Sequence, residues 1–511
     1  MHLNDISSLS DILFVTKDLY PNKIAVSDAT HELTYQELYV KTVLFSKYLK
    51  DKHDVLPNDV IGFLIPNSIE FVIAHFAIQF LGAVSSPLDP DINHINLISC
   101  IKQANIGLII IKKIVKFNNK SLDSEVLSKV ISFDYITELL EKPISNSDIN
   151  ISSLFKSKLN VNEIASYLFT TGSTGVPKGV IIKQSNVIQS ISNIVEFIDY
   201  SDDDSELITL PLSHSFGLGH LYCNLASAGT SYLLDGISNF KLLFDFLNKK
   251  KPTGFPGTPS GFKILTKMFP NKLADCKDFL KFIVINSERC PPTLVRTLTT
   301  LLPNTKILIY YGLTEASRST FIKFDRDTED YYLDSVGKAS PNVEIEIVDE
   351  VFLNNEGYYE GKIAIKGKHL AEGYVGKNSL FNMHNNWFIT DDVGYLDKDK
   401  YLFLTGRLST FINKAGIKVD PKEIVDLIGS LDFIKDVAVI GIDDEISGQI
   451  ICVCFVSNTS KEKAEKAIIK ECSLSLEKLK IPDLYVSVDS IPRNKTGKLL
   501  QPELKEKIQY D

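Results

Sequence analysis

Arginine is scarce in this chain. Only six occur in 511 residues, at 289, 296, 318, 326, 407 and 493, so 49 of the 55 basic side chains are lysines. Lysine carries the surface charge, and the rigid, permanently charged fork of each arginine calls for a reason of its own. Cysteine is sparse too: seven, an odd count, with no pair at C-x-x-C spacing, which excludes a zinc framework of that type. Cys452 and Cys454 alternate with Val453 as core strand residues do. There is no basic excess, since Asp and Glu number 64 and the formal charge is −9, and this excludes a nucleic-acid footprint. No acidic tail or polybasic arm is present. The most apolar stretch, residues 69–88, is interrupted by Glu70, His75 and Gln79. A membrane span needs about 20 uninterrupted apolar residues, so a buried helix is expected there. The N-terminus, MHLNDISSLSDILF, lacks the basic-then-apolar order of a signal peptide. The expectation is a cytoplasmic protein with no integral membrane segment.

What remains is an ordinary globular composition, 44% hydrophobic and 23% charged. The length suggests about three compact units, with cores large enough to need no staples. No repeat or low-complexity segment occurs. Through the first three hundred residues, short apolar runs (VIGFLIP at 60–66, IGLIIIKK at 106–113, SELITLP at 205–211, FLKFIVIN at 279–286) alternate with helical patterns such as 69–81 and 240–249. Continuous apolar runs followed by helices predict parallel strands buried on both faces, an α/β protein. Beyond about residue 335, VEIEIVD, GKIAIKG and YLFLTG alternate apolar and polar side chains and predict a mostly antiparallel, one-side-wet sheet over about 335–406. Past Arg407 the rhythm changes again: a proline-opened helix (PKEIVDLIGS), a strand (KDVAVIGI) and a charged helix predict a small α/β domain. The expected division is 1–406 and 407–511.

The strongest chemical signal is TTGSTGVPKG at 170–179, three glycines among hydroxyls beside a lysine. Such a loop offers backbone N–H and hydroxyl groups that can wrap phosphate oxygens. It comes close to a Walker A loop, but Pro177 stands where the glycine before lysine belongs and Gly179 where the Mg²⁺-holding Ser/Thr belongs. A P-loop NTPase is disfavoured.

Three further motifs follow in order: YYGLTEAS (310–317), WFITDDVGYLDKDKYLFLTGR (387–407) and PRNKTGK (492–498). With these four segments the chain resembles, over nearly its whole length, the acyl-adenylate-forming superfamily of acyl- and aryl-CoA ligases and adenylation domains. The resemblance implies a large N-terminal domain of α/β lobes with a β-rich subdomain, and a small mobile C-terminal cap. It also implies a set of roles. Thr170, Thr171, Ser173 and Thr174, with Gly172, Gly175 and nearby Lys178, hold the β- and γ-phosphates of ATP. Tyr311 stacks on adenine beside Gly312, Thr314 bonds the α-phosphate, and Glu315 holds Mg²⁺. Ser287 and Glu288 stand in a segment, INSERCPP, that is Gly- and Ala-rich in the family and lines the adenine; whether Glu288 and Arg289 face ligand or pair together is open. Asp392 accepts the ribose hydroxyls and Arg407 donates to the same ribose. The family reads TGD where this chain has Thr390-Asp391-Asp392, and the third residue, Asp392, takes the role. Lys498 reaches the carboxylate and α-phosphate during adenylation. His214 and Phe216, in PLSHSFGLGH, begin the acid pocket, and Gly416 lines the pantetheine tunnel. Ser409 stands at the pivot, where Asp or Lys is usual.

The implied activity is ATP-dependent conversion of a carboxylic acid to an acyl-adenylate, followed by transfer to a thiol, most naturally coenzyme A. The alternative thiol is the phosphopantetheine of an acyl carrier protein acting in trans. A catalytically silent adenylate-binding protein is the reading from another class; Asp391, Ser287 and Ser409 are its only support.

Overall fold

The computed structural model describes residues 6–111, 129–153, 163–171, 177–287, 289–353, 357–376, 381–407, 412–414, 417–444, 448–476, 480–493, 497 and 499–508. Its contacts divide the chain into two compact units rather than three. The first comprises residues 1–172, 176–345 and 365–388, the second 173–175, 346–364 and 389–511.

Two sheets organise the first unit. One has seven strands in the order Gly373–Tyr374, Pro177–Lys183, Ile164–Thr171, Val84–Pro87, Val60–Leu64, Leu108–Ile111, Val130–Ser132. From Ile164–Thr171 to Val130–Ser132 the strands are parallel, and the first two pairs are antiparallel. The other runs Thr320–Phe324, Lys306–Tyr311, Phe282–Ile285, Gly254–Gly257, Ser205–Ile208, Thr230–Leu233, Ile24–Ser27, Glu32–Thr34, with a parallel centre and antiparallel edges. The apolar runs expected to be buried strands are these strands. Their side chains are covered on both faces because the intervening helices pack back onto the sheets, as parallel connections require.

The helix Ile69–Phe80 is the buried helix expected from the broken apolar run. Ser68 caps it by accepting the Phe71 N–H, and every residue but Glu70 is buried. Its polar residues are satisfied internally. His75 is held between Ser85 Oγ (2.7 Å) and Tyr222 Oη (2.6 Å). Gln79 donates to the Ala165 carbonyl (2.7 Å) and accepts from Gln184 (2.7 Å). These bonds tie the helix to the strand that leads into the Thr170–Gly179 segment, so the interruptions in the apolar run position that segment.

In the second unit, residues 389–396 of the strand Trp387–Leu396 pair antiparallel with Leu402–Arg407, with Asp392 opposite Arg407. The C-terminal part is a five-stranded sheet whose longest strands, Ile434–Asp444 and Gly448–Ser457, are antiparallel. The helix Pro421–Gly429 opens with proline in its first turn, behind Asp420, which accepts the Lys422 N–H. With Lys461–Ser475 it covers one face of the sheet through Ile424, Ile428, Val453, Phe455 and Ile468. Cys452 and Cys454 point to the other face, with Ile440, Val486 and Leu504, which is the alternation expected of a core strand.

Two buried histidines make the first unit acid-sensitive. Burial pushes His75 down to about 3 and His369 to about 4. In the unfolded chain a histidine protonates near 6.5. As pH falls below that value the unfolded chain takes up protons that the folded chain refuses, so stability declines. His75→Gln should therefore flatten the fall in denaturant stability between pH 6 and pH 4 by roughly 1 kcal/mol per pH unit. An unchanged slope would contradict a neutral, sealed His75.

Candidate active site

The strands Ile164–Thr171 and Pro177–Lys183 pair with Thr170 opposite Lys178 and Thr171 opposite Pro177. Lys178 continues into a strand, whereas a Walker A lysine stands where a helix opens; the disfavoured P-loop assignment is excluded on that geometry. Thr170 Oγ1 is 3.5 Å from the Lys178 carbonyl. Gly172, Ser173, Thr174 and Gly175 lie outside the described residues, as does the Thr171 side chain.

The YYGLTEAS segment closes a second hairpin. Lys306–Tyr311 and Thr320–Phe324 pair antiparallel with Tyr311 opposite Thr320, whose hydroxyl accepts the Tyr311 N–H at 3.3 Å. Tyr311 is buried at the strand end, and Gly312, Thr314 and Glu315 are half-buried in the connection. The Glu315 carbonyl accepts the Ala371 N–H (2.9 Å), and its Oε1 accepts the Tyr374 hydroxyl at 2.8 Å. Lys178 Nζ lies 5.7 Å from the centre of the same Tyr374 ring. Tyr374 therefore links the two hairpins. Glu315 Oε2 keeps no partner among the described residues, an arrangement that suits Mg²⁺, which binds through one or two carboxylates plus phosphate oxygens.

Thr314 meets a third element. His214 is the N-cap residue of the buried helix Ser215–Ala226 and is itself half-buried; its carbonyl accepts the Leu218 N–H at 3.0 Å. Ser215 Oγ lies 3.5 Å from Thr314 Oγ1. The two motifs are clamped by Arg318, to which sequence reasoning assigned no role. Its Nη1 donates to the Ser215 carbonyl (3.0 Å) and Ser317 Oγ (2.6 Å), and its Nη2 to the Phe216 carbonyl (3.0 Å). The guanidinium lies 5.1 Å from the Tyr310 ring centre. Two glycines make room for it. A Cβ at Gly219 would fall 2.3 Å from Nη2, and one at Gly312 would fall 2.4 Å from the Arg318 backbone nitrogen.

Beside this clamp is a partly open pocket, walled by Ile182, Ile191, Ile194 and Leu218 and lined also by Ser215 and Thr314. Tyr222, which also lines it, is the residue held by His75.

The remaining candidates are spread more widely. Ser287 is exposed in a left-handed conformation (φ 85°), and Glu288 lies outside the described residues. Arg289 pairs with Asp334. In the second unit Asp392 is buried and stands opposite Arg407 while Asp391 is exposed. The Asp392 N–H donates to Thr390 Oγ1 at 3.1 Å. The Arg407 side chain, Ser409, Gly416 and Lys498 are outside the described residues. Arg493 forms a two-point pair with Asp436 (2.9 and 3.3 Å) and donates to the Gly497 carbonyl at 3.2 Å. An antiparallel bridge to Leu499 closes the same turn.

Comparison with known proteins decides the family. Residues 14–375 match the family described as AMP-binding enzyme, and residues 423–498 match the AMP-binding enzyme C-terminal domain. The chain belongs to the AMP-binding enzyme family. Among relatives, 4-coumarate-CoA ligase 1 of Narcissus pseudonarcissus is 26% identical over 465 residues, covering 88% of this chain and 84% of that protein. An ATP-bound RpMatB-BxBclM chimera has the same fold, with a TM-score of 0.85 at 20% identity and 99% of both chains covered. So does o-succinylbenzoate coenzyme A synthetase (MenE) from Bacillus subtilis in complex with ATP and magnesium ion, with a TM-score of 0.81 at 22% identity, covering 97% of this chain and 99% of that one. This AMP-binding enzyme is an ATP-dependent, AMP-forming ligase with the adenylating-enzyme fold, α/β with a large N-terminal and a small C-terminal domain. No helix among its described residues is long and apolar enough to cross a membrane.

Within this AMP-binding enzyme, Tyr374 and Arg318 are the candidate-site residues that motif reading missed. Gly219→Ala tests the clamp. The added methyl must displace the guanidinium, an overpacking cost of about 1–3 kcal/mol, so the apparent Tm should fall by about 1–4 °C. A Tm equal to wild type would show that the guanidinium has room to move.

Proposed function

We propose that the protein activates a carboxylic acid with ATP and passes the acyl group to coenzyme A. The observation that carries this reading is the pocket that ends at Thr314 and Ser215, in the same unit as Lys178, Tyr374 and Glu315. An apolar chain in the pocket brings its carboxylate to the hydroxyl proposed to bond the α-phosphate.

In the first step a carboxylate oxygen attacks the α-phosphorus. The P–O bond to the acyl group forms, the bond to the bridging oxygen of pyrophosphate breaks, and pyrophosphate leaves. Thr170, Thr171, Ser173 and Thr174, with Lys178, hold the departing phosphates. Glu315, oriented by Tyr374, would hold Mg²⁺, whose contribution there would be to screen their charge. Tyr311 and Gly312, with the segment of Ser287 and Glu288, bound the adenine. Asp392 accepts the ribose hydroxyls and Arg407 donates to them; the burial of Asp392 beside an exposed Asp391 supports that register. His214 borders the acid. Two anions must approach each other, and Lys498 supplies a cation between them, which lowers the barrier electrostatically.

In the second step the thiol sulfur attacks the acyl carbon, the thiol proton is lost and AMP departs. Residues 407–511 act as the mobile cap. They turn about Ser409 to withdraw Lys498 and present the Gly416 segment to the pantetheine arm.

Pyrophosphate release measured over fatty, aryl and amino acids, with and without coenzyme A, tests the reading. Thioester formed only with a holo carrier protein would replace coenzyme A by that carrier, and no pyrophosphate with any acid would leave a silent adenylate binder. Lys498→Ala should slow adenylation about 10²–10³-fold while thioester formation from supplied acyl-adenylate survives. Equal loss of both steps contradicts the division of labour. Asp392→Ala should raise the KM for ATP about 10-fold or more, whereas exposed Asp391→Ala should change it about twofold at most. The opposite order would move the ribose contact to Asp391.

A further inference from the structure

The lysines of the first unit are unevenly placed. Residues 240–281 hold nine lysines, three aspartates and none of the six arginines, a balance of +6 in a chain whose total is −9. No more than three of these lysines are consecutive, so they meet only through the fold. Three helices, Phe240–Lys250, Pro259–Met268 and Pro270–Ala274, carry six of them. The junction of these helices is aromatic. The Phe269 ring lies 4.8 Å from Phe240 and 5.4 Å from Phe244, and Lys272 Nζ stands over Phe244 (5.2 Å) and Phe269 (5.8 Å). The middle helix buries Phe262 and Leu265 and exposes Lys263, Ile264, Lys267 and Met268. These four are spaced i, i+1, i+4 and i+5 and so share one face. Ile264 is 41% and Met268 60% exposed; standing one turn apart, they are neighbours rather than scattered apolar residues. Of the nine lysines, only Lys250 (with Glu32) and Lys281 (with Asp204) form ion pairs among the described residues.

We propose that this face docks on an anionic lipid surface, with its lysines at the phosphate headgroups and Ile264 and Met268 at the acyl boundary. A basic helix interleaved with apolar residues lies in the plane of such an interface. The lack of arginine decides between a lipid and an acidic protein. Protein interfaces enrich arginine and deplete lysine, because a fixed partner rewards a fixed fork. A fluid headgroup layer offers charge without fixed geometry. A lysine meets it with a hydrated ammonium at the end of a flexible stem, whose methylenes lie along apolar surface. The rest of the chain carries −15, so an anionic surface repels it and leaves this face as the one that approaches. The consequence for function rests on the acid activation proposed above: an apolar acid bound for the pocket walled by Ile182 and Leu218 is met where it partitions. The docking itself does not depend on that reading.

The test sediments the full chain with vesicles of phosphatidylcholine alone and of phosphatidylcholine with phosphatidylserine, at low and at physiological salt. Neither acid nor ATP is present, so a failure of docking and a failure of acid activation are told apart. The expected result is binding to the phosphatidylserine vesicles alone, weakened by salt. Lys263→Gln with Lys267→Gln should weaken it about 25-fold, at about fivefold for each lysine. Ile264→Ser with Met268→Ser should weaken it about tenfold at unchanged charge. Lys461→Gln with Lys463→Gln, which removes two exposed lysines from the second unit, should bind as the wild type does. All six positions are exposed, so the variants should keep the fold, which an unchanged Tm checks. No binding to phosphatidylserine vesicles, equal binding to both kinds, or unchanged binding in either pair of substitutions on the helix would overturn the proposal. Binding of a holo carrier protein instead, lost in Lys263→Gln with Lys267→Gln, would give the face to an acidic protein and overturn it equally.

Discussion

The bond between the Arg318 guanidinium and two carbonyls in the first turn of the helix Ser215–Ala226 is the constraint on which the first unit's site depends. It joins the hairpin connection that carries Thr314 to the start of that helix, about a hundred residues earlier in the chain. Without it, nothing among the described contacts would hold Ser215 against Thr314 except a hydroxyl pair at 3.5 Å, too long to fix a geometry by itself. A side chain that bonds carbonyls through two nitrogens and packs its face on Tyr310 leaves little freedom to either partner.

The neighbourhood is shaped to accept that side chain. Gly219 lets the guanidinium lie against the helix, and Gly312 lets the hairpin backbone turn back on Arg318, which itself adopts a left-handed conformation (φ 61°). Such a conformation is uncommon for a long side chain, and it persists because bonds on both sides over-determine it; the Arg318 carbonyl is also held, by Ser340 Oγ at 2.7 Å. Support from behind comes from the buried helix Ile69–Phe80. His75 fixes Tyr222 in the pocket wall and Gln79 fixes the strand Ile164–Thr171. The pocket and that strand are therefore anchored to one rigid element, as a site that must hold two reactants in register requires.

The buried strands were legible because parallel sheets turn both faces inward and leave continuous apolar runs such as VIGFL and LIII. The motif segments were legible because local chemistry, glycines among hydroxyls or a carboxylate after a threonine, sits in contiguous residues. Tyr374 and Arg318 were not, because each acts only where distant segments meet, 59 residues from Glu315 in one case and 103 from Ser215 in the other. The rarity of arginine was the signal that could have singled out Arg318. It marks a position without saying what the side chain faces. The same holds for Arg289, which sequence left between two roles and which the fold pairs with Asp334.

Arg493 shows how an arginine in a motif can serve the chemistry without touching it. Its two-point pair with Asp436 fastens the C-terminal turn to the long strand Ile434–Asp444, while its bond to the Gly497 carbonyl and the bridge to Leu499 close that turn. An exposed ion pair contributes little to stability by itself. Its worth here is geometric: it joins the turn to the sheet that forms the small unit's core, so the turn has to travel with that core. For the lysine proposed to act in one step and withdraw in the next, a stiff mount matters more than a strong one. Lys498 directly follows Gly497, the residue whose carbonyl Arg493 holds. A lysine in place of Arg493 would keep the charge but lose the fork that grips carboxylate and carbonyl together, which is why this position falls to one of the six arginines.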